Sequence, residues 1–299
     1  MMAQHSERAG LLYVLAGFSL LAVGDAIIKG MAGMWPPTAM AATRYALAAI
    51  GMSAVLVHRE GWNAILHMPR PGMQWLRGGG VAVGSIAIFA AVWVMPLGEA
   101  ITITFTQPML TALLAALCLG ERLRKPAIIA TLVAFTGVVI VLRPNFLVLG
   151  MAALLPLASA LGMAVLITTN RATAGAAGTF AMQVYLSITA SVLLIGATLI
   201  GHFSGLPALH MHWPAWHVFA RCAFIACSAT TAHLFIYLGT TRAGAAAVAP
   251  MTYGQLLTAV LLGWIFFGDV PDALSLLGAT LIVGAGLYLW WSGRHSKNS

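Results

Sequence analysis

Apolar residues in this chain run in long unbroken stretches, and charged residues fall almost entirely between them. A stretch of about 20 apolar residues is what an α-helix needs to cross a bilayer core. The pattern predicts helices at Leu11–Gly30, Pro37–Val57, Trp75–Val94, Glu99–Leu119, Pro126–Leu142, Gly150–Asn170, Phe180–Gly201, Trp216–Leu238, Ala243–Phe267 and Ala273–Trp291. Strands of a membrane barrel would alternate apolar and polar positions, which these runs do not. In hydrocarbon the backbone must satisfy its own hydrogen bonds, so helices are the remaining solution. The expected fold class is an all-α integral membrane protein of about ten transmembrane helices.

One segment occurs twice. Gly98–Glu121 reads GEAITITFTQPMLTALLAALCLGE and Ala246–Asp269 reads AAVAPMTYGQLLTAVLLGWIFFGD. Aligned on the closing pairs Gly120-Glu121 and Gly268-Asp269, Gln107 falls on Gln255, Phe105 on Tyr253 and Thr104 on Thr252. Arg122, Arg124 and Lys125 follow the first copy, whereas Pro271 and Asp272 follow the second. A repeat that is basic after one copy and acidic after the other suggests two halves of opposite membrane orientation. Five helices per half is odd, so the second half enters the membrane inverted. The expected organisation is a five-plus-five inverted repeat, 8–142 and 149–292, hinged at Arg143-Pro144-Asn145.

Composition agrees. The chain of 299 residues is 61% hydrophobic and 7% charged, against about 25% charged in soluble domains. The net charge of +8 would suggest nucleic acid in a soluble protein. Here the cations sit in short loops, and orientation explains them. With the N-terminus inside, inner segments carry Arg8, Arg59, Arg70, Arg77, Arg122, Arg124, Lys125, Arg171, Arg242, Arg294 and Lys297, eleven of fifteen cations. Both termini are expected in the cytoplasm. The first apolar run reads as a membrane helix and not a cleaved signal. Cys118, Cys222 and Cys227 lie inside apolar runs without metal-ligand spacing. His202, His210, His212 and His217 cluster irregularly near one outer loop and read as solvated. No metal or cofactor is expected.

With Gly120-Glu-Arg-Leu123, Gly137-Val-Val-Ile-Val, Phe267-Gly-Asp-Val-Pro271 and Gly278-Ala-Thr-Leu-Ile-Val-Gly284, the chain resembles the EamA-type group of the drug/metabolite transporter superfamily over nearly its whole length. The resemblance implies ten helices in an inverted repeat, a central cavity and transport of small organic solutes. The Met251-Thr-Tyr-Gly-Gln-Leu256 run is also similar to a subgroup that includes S-adenosylmethionine and riboflavin carriers.

Candidate residues follow from polar groups within the spans. Asp25 and Lys29 are four apart on one helix face and can pair. Arg44 lies in the next span. An ionisable group at membrane depth is costly and points to a cavity or a partner. Asp25 reads either as a coupling site or as a neutraliser of Lys29. Lys29 reads either as a coupling or gating group or as a residue snorkelling to headgroups. Arg44 reads as a receptor for a solute carboxylate. Gln107 and Gln255, on matching polar stripes with Thr104, Thr111 and Thr252, offer amides to a solute or bond neighbouring helices as packing glue. Phe105 and Tyr253 reach the same solute only if Pro108 or Pro250 distorts its helix. Phe89 and Trp93 share a face with Ser85, suited to a planar ligand or to packing. His233 is a candidate for proton coupling and Arg221 for gating or anion binding, each against a structural role. Gly80 and Gly84 form a GxxxG contact. No phosphate loop is present.

The function expected is a secondary carrier of a small amino acid-like or cofactor-like solute in a bacterial inner membrane, working by alternating access. A membrane-embedded enzyme and a non-transporting receptor are the alternatives; the former would need a nucleophile-base, metal or carboxylate-pair arrangement at depth. The expected partners are the solute and the bilayer, with no nucleic acid and with a homodimer compatible.

Overall fold

The computed structural model describes residues 2–120, 125–243 and 249–295. Residues Glu121–Arg124 of the first closing motif, Ala246–Val248 of the second copy, and Lys297 therefore lie outside the described residues.

The helices are α1 (Met2–Lys29), α2 (Pro37–Glu60), the short α3 (Asn63–Leu66), α4 (Pro71–Val94), α5 (Leu97–Thr104), α6 (Gln107–Leu119), α7 (Lys125–Leu149), α8 (Leu155–Ala172), α9 (Thr179–Phe203), α10 (Trp216–Ala243), α11 (Tyr253–Phe267) and α12 (Ala273–His295). Single 3-10 turns at Gly150–Leu154, Pro207–Leu209 and Ala249–Thr252 complete the described elements, which include no strand. Among the described residues, nine helical stretches are long and apolar enough to cross a membrane, with Tyr253–Phe267 a shorter tenth. The protein is all-α and multi-pass. Leu117, Leu147, Ile200 and Phe266 face outward, as lipid-facing side chains do.

The expected ninth span was one helix from Ala243. A 3-10 turn at Ala249–Thr252 instead precedes a helix that starts at Tyr253. Pro250, which lacks an amide hydrogen, sits in that turn. The fourth span is likewise interrupted, between Thr104 and Gln107. Pro108 removes the donor that would bond the Thr104 carbonyl. The Thr104 and Thr106 hydroxyls bond back to the Ile101 and Ile103 carbonyls at 2.6 and 2.8 Å. Neither the two prolines nor the two breaks fall at aligned positions: the break at 105–106 aligns with the start of α11, and the 3-10 turn aligns with the last turn of α5.

Helix pairing follows a rule of exchange. α1 packs on α10 and α11, α8 on α4 and α6, α2 on α9 and α10, α4 on α9, and α7 on α12. Swapping α1 with α8, α2 with α9, α4 with α10, α6 with α11 and α7 with α12 returns the same set. The tightest crossings use glycine. A Cβ on Gly80 would meet the Gly162 carbonyl at 2.6 Å. On α7 and α12 the contact is reciprocal: a Cβ on Gly137 would lie 2.7 Å from the Gly278 carbonyl, and one on Gly278 2.7 Å from the Gly137 carbonyl. Both copies of the closing motif end in a left-handed glycine, Gly120 at φ 67° and Gly268 at φ 68°. The Gly268 amide bonds the Trp264 carbonyl at 3.2 Å, an αL closure, and the amide of Asp269 reaches the Gly263 carbonyl at 3.0 Å.

Gly278→Leu is expected to drive backbones apart and cost about 1–3 kcal/mol or more, read as a lower melting temperature. Gly196→Ala, where a Cβ meets nothing within 4 Å, is expected to hold or raise it. Equal melting in the two variants would remove the crossing from the account.

Asp272 opens α12 as its N-cap, taking the Ser275 amide at 2.6 Å. That hydrogen bond holds its carboxyl below the usual carboxylate range. A depressed folded value means stability present above the unfolded value, about 3.9, and lost as pH falls through the folded one. The melting difference between the native chain and Asp272→Ala is therefore expected at pH 7 and to fade as the pH falls below about 3.9, through the lowered folded value. A difference that stays constant with pH would show that the carboxylate is not the source.

Candidate functional site

Four helices bring polar groups together within the bundle, and a fifth adds the ring of Phe89. Gln255 of α11 donates to Asp25 of α1, Nε2 to Oδ2 at 3.1 Å. Arg44 of α2 lies within electrostatic reach of both Asp25 and His233 of α10. Its guanidinium sits over the Tyr45 ring at 5.2 Å and the Phe89 ring at 5.8 Å. Phe89 is buried beneath it. Among the described residues no acceptor lies within hydrogen-bond distance of the Arg44 guanidinium, and none pairs with it as a salt bridge. A guanidinium carries five donors, so at membrane depth this group calls for water or an anionic ligand. His233 is exposed although it lies in the body of α10.

The helix breaks supply a second element. Phe105 and Tyr253, the aligned aromatics of the two copies, stack with ring centroids 5.1 Å apart at 29°. The condition set for them, distortion next to the prolines, is met in both copies. Tyr253 donates to the Val283 carbonyl at 3.2 Å. Gln107 is half-buried, and its amide is 3.5 Å from the Thr111 hydroxyl, which itself bonds back to the Gln107 carbonyl at 2.8 Å. The two glutamines thus differ: Gln255 holds an acid on another helix, and Gln107 stays with its own helix.

The pairing expected of Asp25 and Lys29 is not formed. Lys29 Nζ donates to Asp269 Oδ2 at 2.6 Å and to the Met95 carbonyl at 3.0 Å, and the two side chains are only 13% and 18% exposed. Lys29 therefore does not snorkel. The Leu97 amide also donates to Asp269 Oδ2, at 2.9 Å. This amide opens α5, where it has no partner within its own helix, and the carboxylate sits favourably at that helix N-terminus. Phe267 lies under Lys29 Nζ at 5.2 Å. The result is a latch at one end of the bundle that ties α1 and the α4–α5 turn to the α11–α12 turn. Sequence spacing proposed the neighbour four residues away; the left-handed closure at Gly268 instead turns Asp269 back toward Lys29. The acid of the closing Gly-Asp pair was the available signal.

Other candidates have defined surroundings. The Trp93 indole donates to the Ile28 carbonyl at 3.0 Å, so its polar edge serves the α1–α4 contact. Arg221 is exposed, and among the described residues its hydrogen-bonding neighbours are the Gly30 carbonyl at 3.5 Å and Met34 Sδ at 4.0 Å. At the other end of the bundle Arg77, expected as an inner-loop cation, is buried. It donates to Asn170 Oδ1 at 2.7 Å, to the Met182 carbonyl at 3.2 Å and to Gln74 Oε1. Asn170, in the last turn of α8, accepts the first of these bonds. The histidines of the 202–217 segment brace the chain: His202 Nδ1 accepts from the Met211 amide at 3.1 Å, and the His212 carbonyl accepts from Trp35 at 2.9 Å.

Residues 8–143 match the model of the EamA-like transporter family. The chain is 33% identical over 210 residues to a riboflavin transporter of Rhizobium johnstonii, 70% of this chain and 66% of that one, just under two thirds of its length. It is 23% identical over 292 residues to an S-adenosylmethionine uptake transporter of Rickettsia prowazekii, 97% of this chain and 95% of that one. It is 26% identical over 285 residues to a pseudopaline exporter of Pseudomonas aeruginosa, 93% of this chain and 94% of that one. A solved crystal structure shares the fold, with a TM-score of 0.57 at 19% identity over 96% of this chain and 97% of that one.

Proposed function

The chain belongs to the EamA-like transporter family of the drug/metabolite transporters, and from that premise we propose that it carries a small zwitterionic solute bearing a planar group across a bacterial inner membrane by alternating access. The observation that carries this reading is the guanidinium of Arg44, set at membrane depth within electrostatic reach of Asp25 and without an acceptor among the described residues. Arg44 takes the solute carboxylate and Asp25, oriented by Gln255, takes its cationic group. The Phe105–Tyr253 platform at the two helix breaks supports the ring. Discontinuous helices at the seam of two repeats are where carriers of this build hold their solutes. Relatives named for riboflavin, S-adenosylmethionine and pseudopaline fit a ring-bearing or zwitterionic cargo.

The two units are 8–142 and 149–292, the second inverted, with both termini in the cytoplasm. The exchange rule of the helix pairs and the reciprocal Gly137–Gly278 contact support this organisation. The Lys29–Asp269 latch then joins the halves at the outer face and must open for the solute to pass there. His233, facing the same cluster, is the candidate coupling group.

A thermal-shift screen of purified protein against amino acids, nucleosides, adenosylmethionine and flavins tests the reading. A zwitterionic or ring-bearing hit is expected, weakened about tenfold in Gln255→Ala because Asp25 loses its orienting bond, about 1.4 kcal/mol. Hits whose affinity is untouched in both Gln255→Ala and Gln107→Ala would move the glutamines to helix packing.

A further inference from the structure

We infer that the groove between α1, α10 and α11 is a binding site for an anionic phospholipid, with the headgroup phosphate on Arg221 and an acyl chain in the apolar slot beyond it. The groove encloses about 750 Å³. Its lining carries Arg221, His217 and Trp216, all exposed, near the start of α10 and is otherwise apolar, with Val23, Phe224 and Leu262 further along their helices from that end. The slot is thus cationic at its mouth and apolar along its length, matching the two parts of an acidic lipid. The mouth lies within two turns of the α10 N-terminus, where Trp213 and Trp216 are 94% and 80% exposed, the level of an interfacial aromatic belt.

The contrast with Arg77 makes Arg221 informative. Each arginine stands near the start of its helix, Arg77 on α4 against the end of α8 and Arg221 on α10 against the end of α1. Arg77 is 3% exposed and satisfied by Gln74, Asn170 and Met182. At Arg221 the corresponding acceptors are absent among the described residues: a carbonyl at 3.5 Å and a thioether at 4.0 Å are its polar neighbours. A guanidinium left with most of its donors free, at headgroup level above an apolar slot, matches a phosphate bidentately. The site also adjoins the latch, because Phe267 lines the groove and lies under Lys29. A bound lipid therefore braces the closed outer end, whichever solute the protein carries.

Native mass spectrometry of the full chain in detergent tests this, with phosphatidylglycerol, phosphatidylcholine and water-soluble glycerol 3-phosphate as probes. The native chain is expected to retain one phosphatidylglycerol at concentrations where phosphatidylcholine is lost. Arg221→Gln is expected to abolish that preference, and Arg59→Gln, a cation at the other end of the bundle, to keep it. Leu262→Trp, which fills the slot and leaves Arg221 in place, is expected to lose the lipid as well, so the test stands even if Arg221→Gln folds poorly. Preference retained in both Arg221→Gln and Leu262→Trp would overturn the proposal. Displacement of the lipid by an equal concentration of glycerol 3-phosphate would overturn it too, in favour of a soluble-anion site.

Discussion

Arg44→Met is expected to weaken binding of a carboxylate-bearing solute at least 30-fold, about 2 kcal/mol, while leaving the protein folded. The substitution keeps the apolar stem that packs on Phe89 and Tyr45 and removes the five donors. Among the described residues the change orphans no side-chain acceptor, because none of them bonds this guanidinium. The loss should therefore fall on the ligand and not on the melting temperature. Arg44→Lys is expected to recover only part of it, since an ammonium cannot meet a carboxylate with a planar fork. An analogue whose carboxylate is replaced by an amide gives the decisive control. It should bind the native chain poorly and lose little more in Arg44→Met. Equal weakening of acid and amide by the substitution would place Arg44 in the packing of α2 against α4.

The second large effect concerns the latch. Lys29→Met leaves Asp269 in a mostly buried position with only the Leu97 amide as partner, and Asp269→Leu strands Lys29 on the Met95 carbonyl. Removing one partner of a buried pair costs about 3–5 kcal/mol. With the pair partly exposed, about 2–3 kcal/mol is expected of each single change. The double variant, apolar on both sides, is expected to melt nearer to the native chain than either single one. Function should separate from stability: the double variant regains stability without regaining the ionic closure. Labelling of a cysteine placed in the latch region by a membrane-impermeant reagent from outside is therefore expected to rise several-fold. If the double variant melts as low as the sum of the two singles, the pair is not coupled as described. Native-level labelling would mean the latch does not close the outer end.

The span pattern could be read from the sequence because hydrocarbon leaves so few solutions for a backbone. The duplicated motif carried further: it marked the left-handed closures at Gly120 and Gly268 and aligned Phe105 with Tyr253, which meet in the structure. Pro108 and Pro250 marked where the spans break, although the run of apolar residues through Ala243–Phe267 concealed the 3-10 turn at Ala249–Thr252. Contacts between helices were harder. Periodicity says which residues share a face of one helix and nothing about what that face meets. Asp25 and Lys29 share a face, yet one reaches Gln255 and the other Asp269, 230 and 240 residues away. Arg77 followed the positive-inside count as a loop cation, and that count cannot see that Asn170 and Gln74 would enclose it. Arg44 was legible because a charge within a span must be answered by something. What answers it was not, since the ligand is no part of the chain.

Counterflow in proteoliposomes tests the central claim most directly: vesicles preloaded with the solute identified by the screen are presented with a labelled trace outside. A carrier with one site that faces each side in turn predicts transient, saturable accumulation of label that Arg44→Met abolishes and Arg59→Gln leaves intact. Linear, unsaturable entry of label, or accumulation unchanged in Arg44→Met, would contradict it.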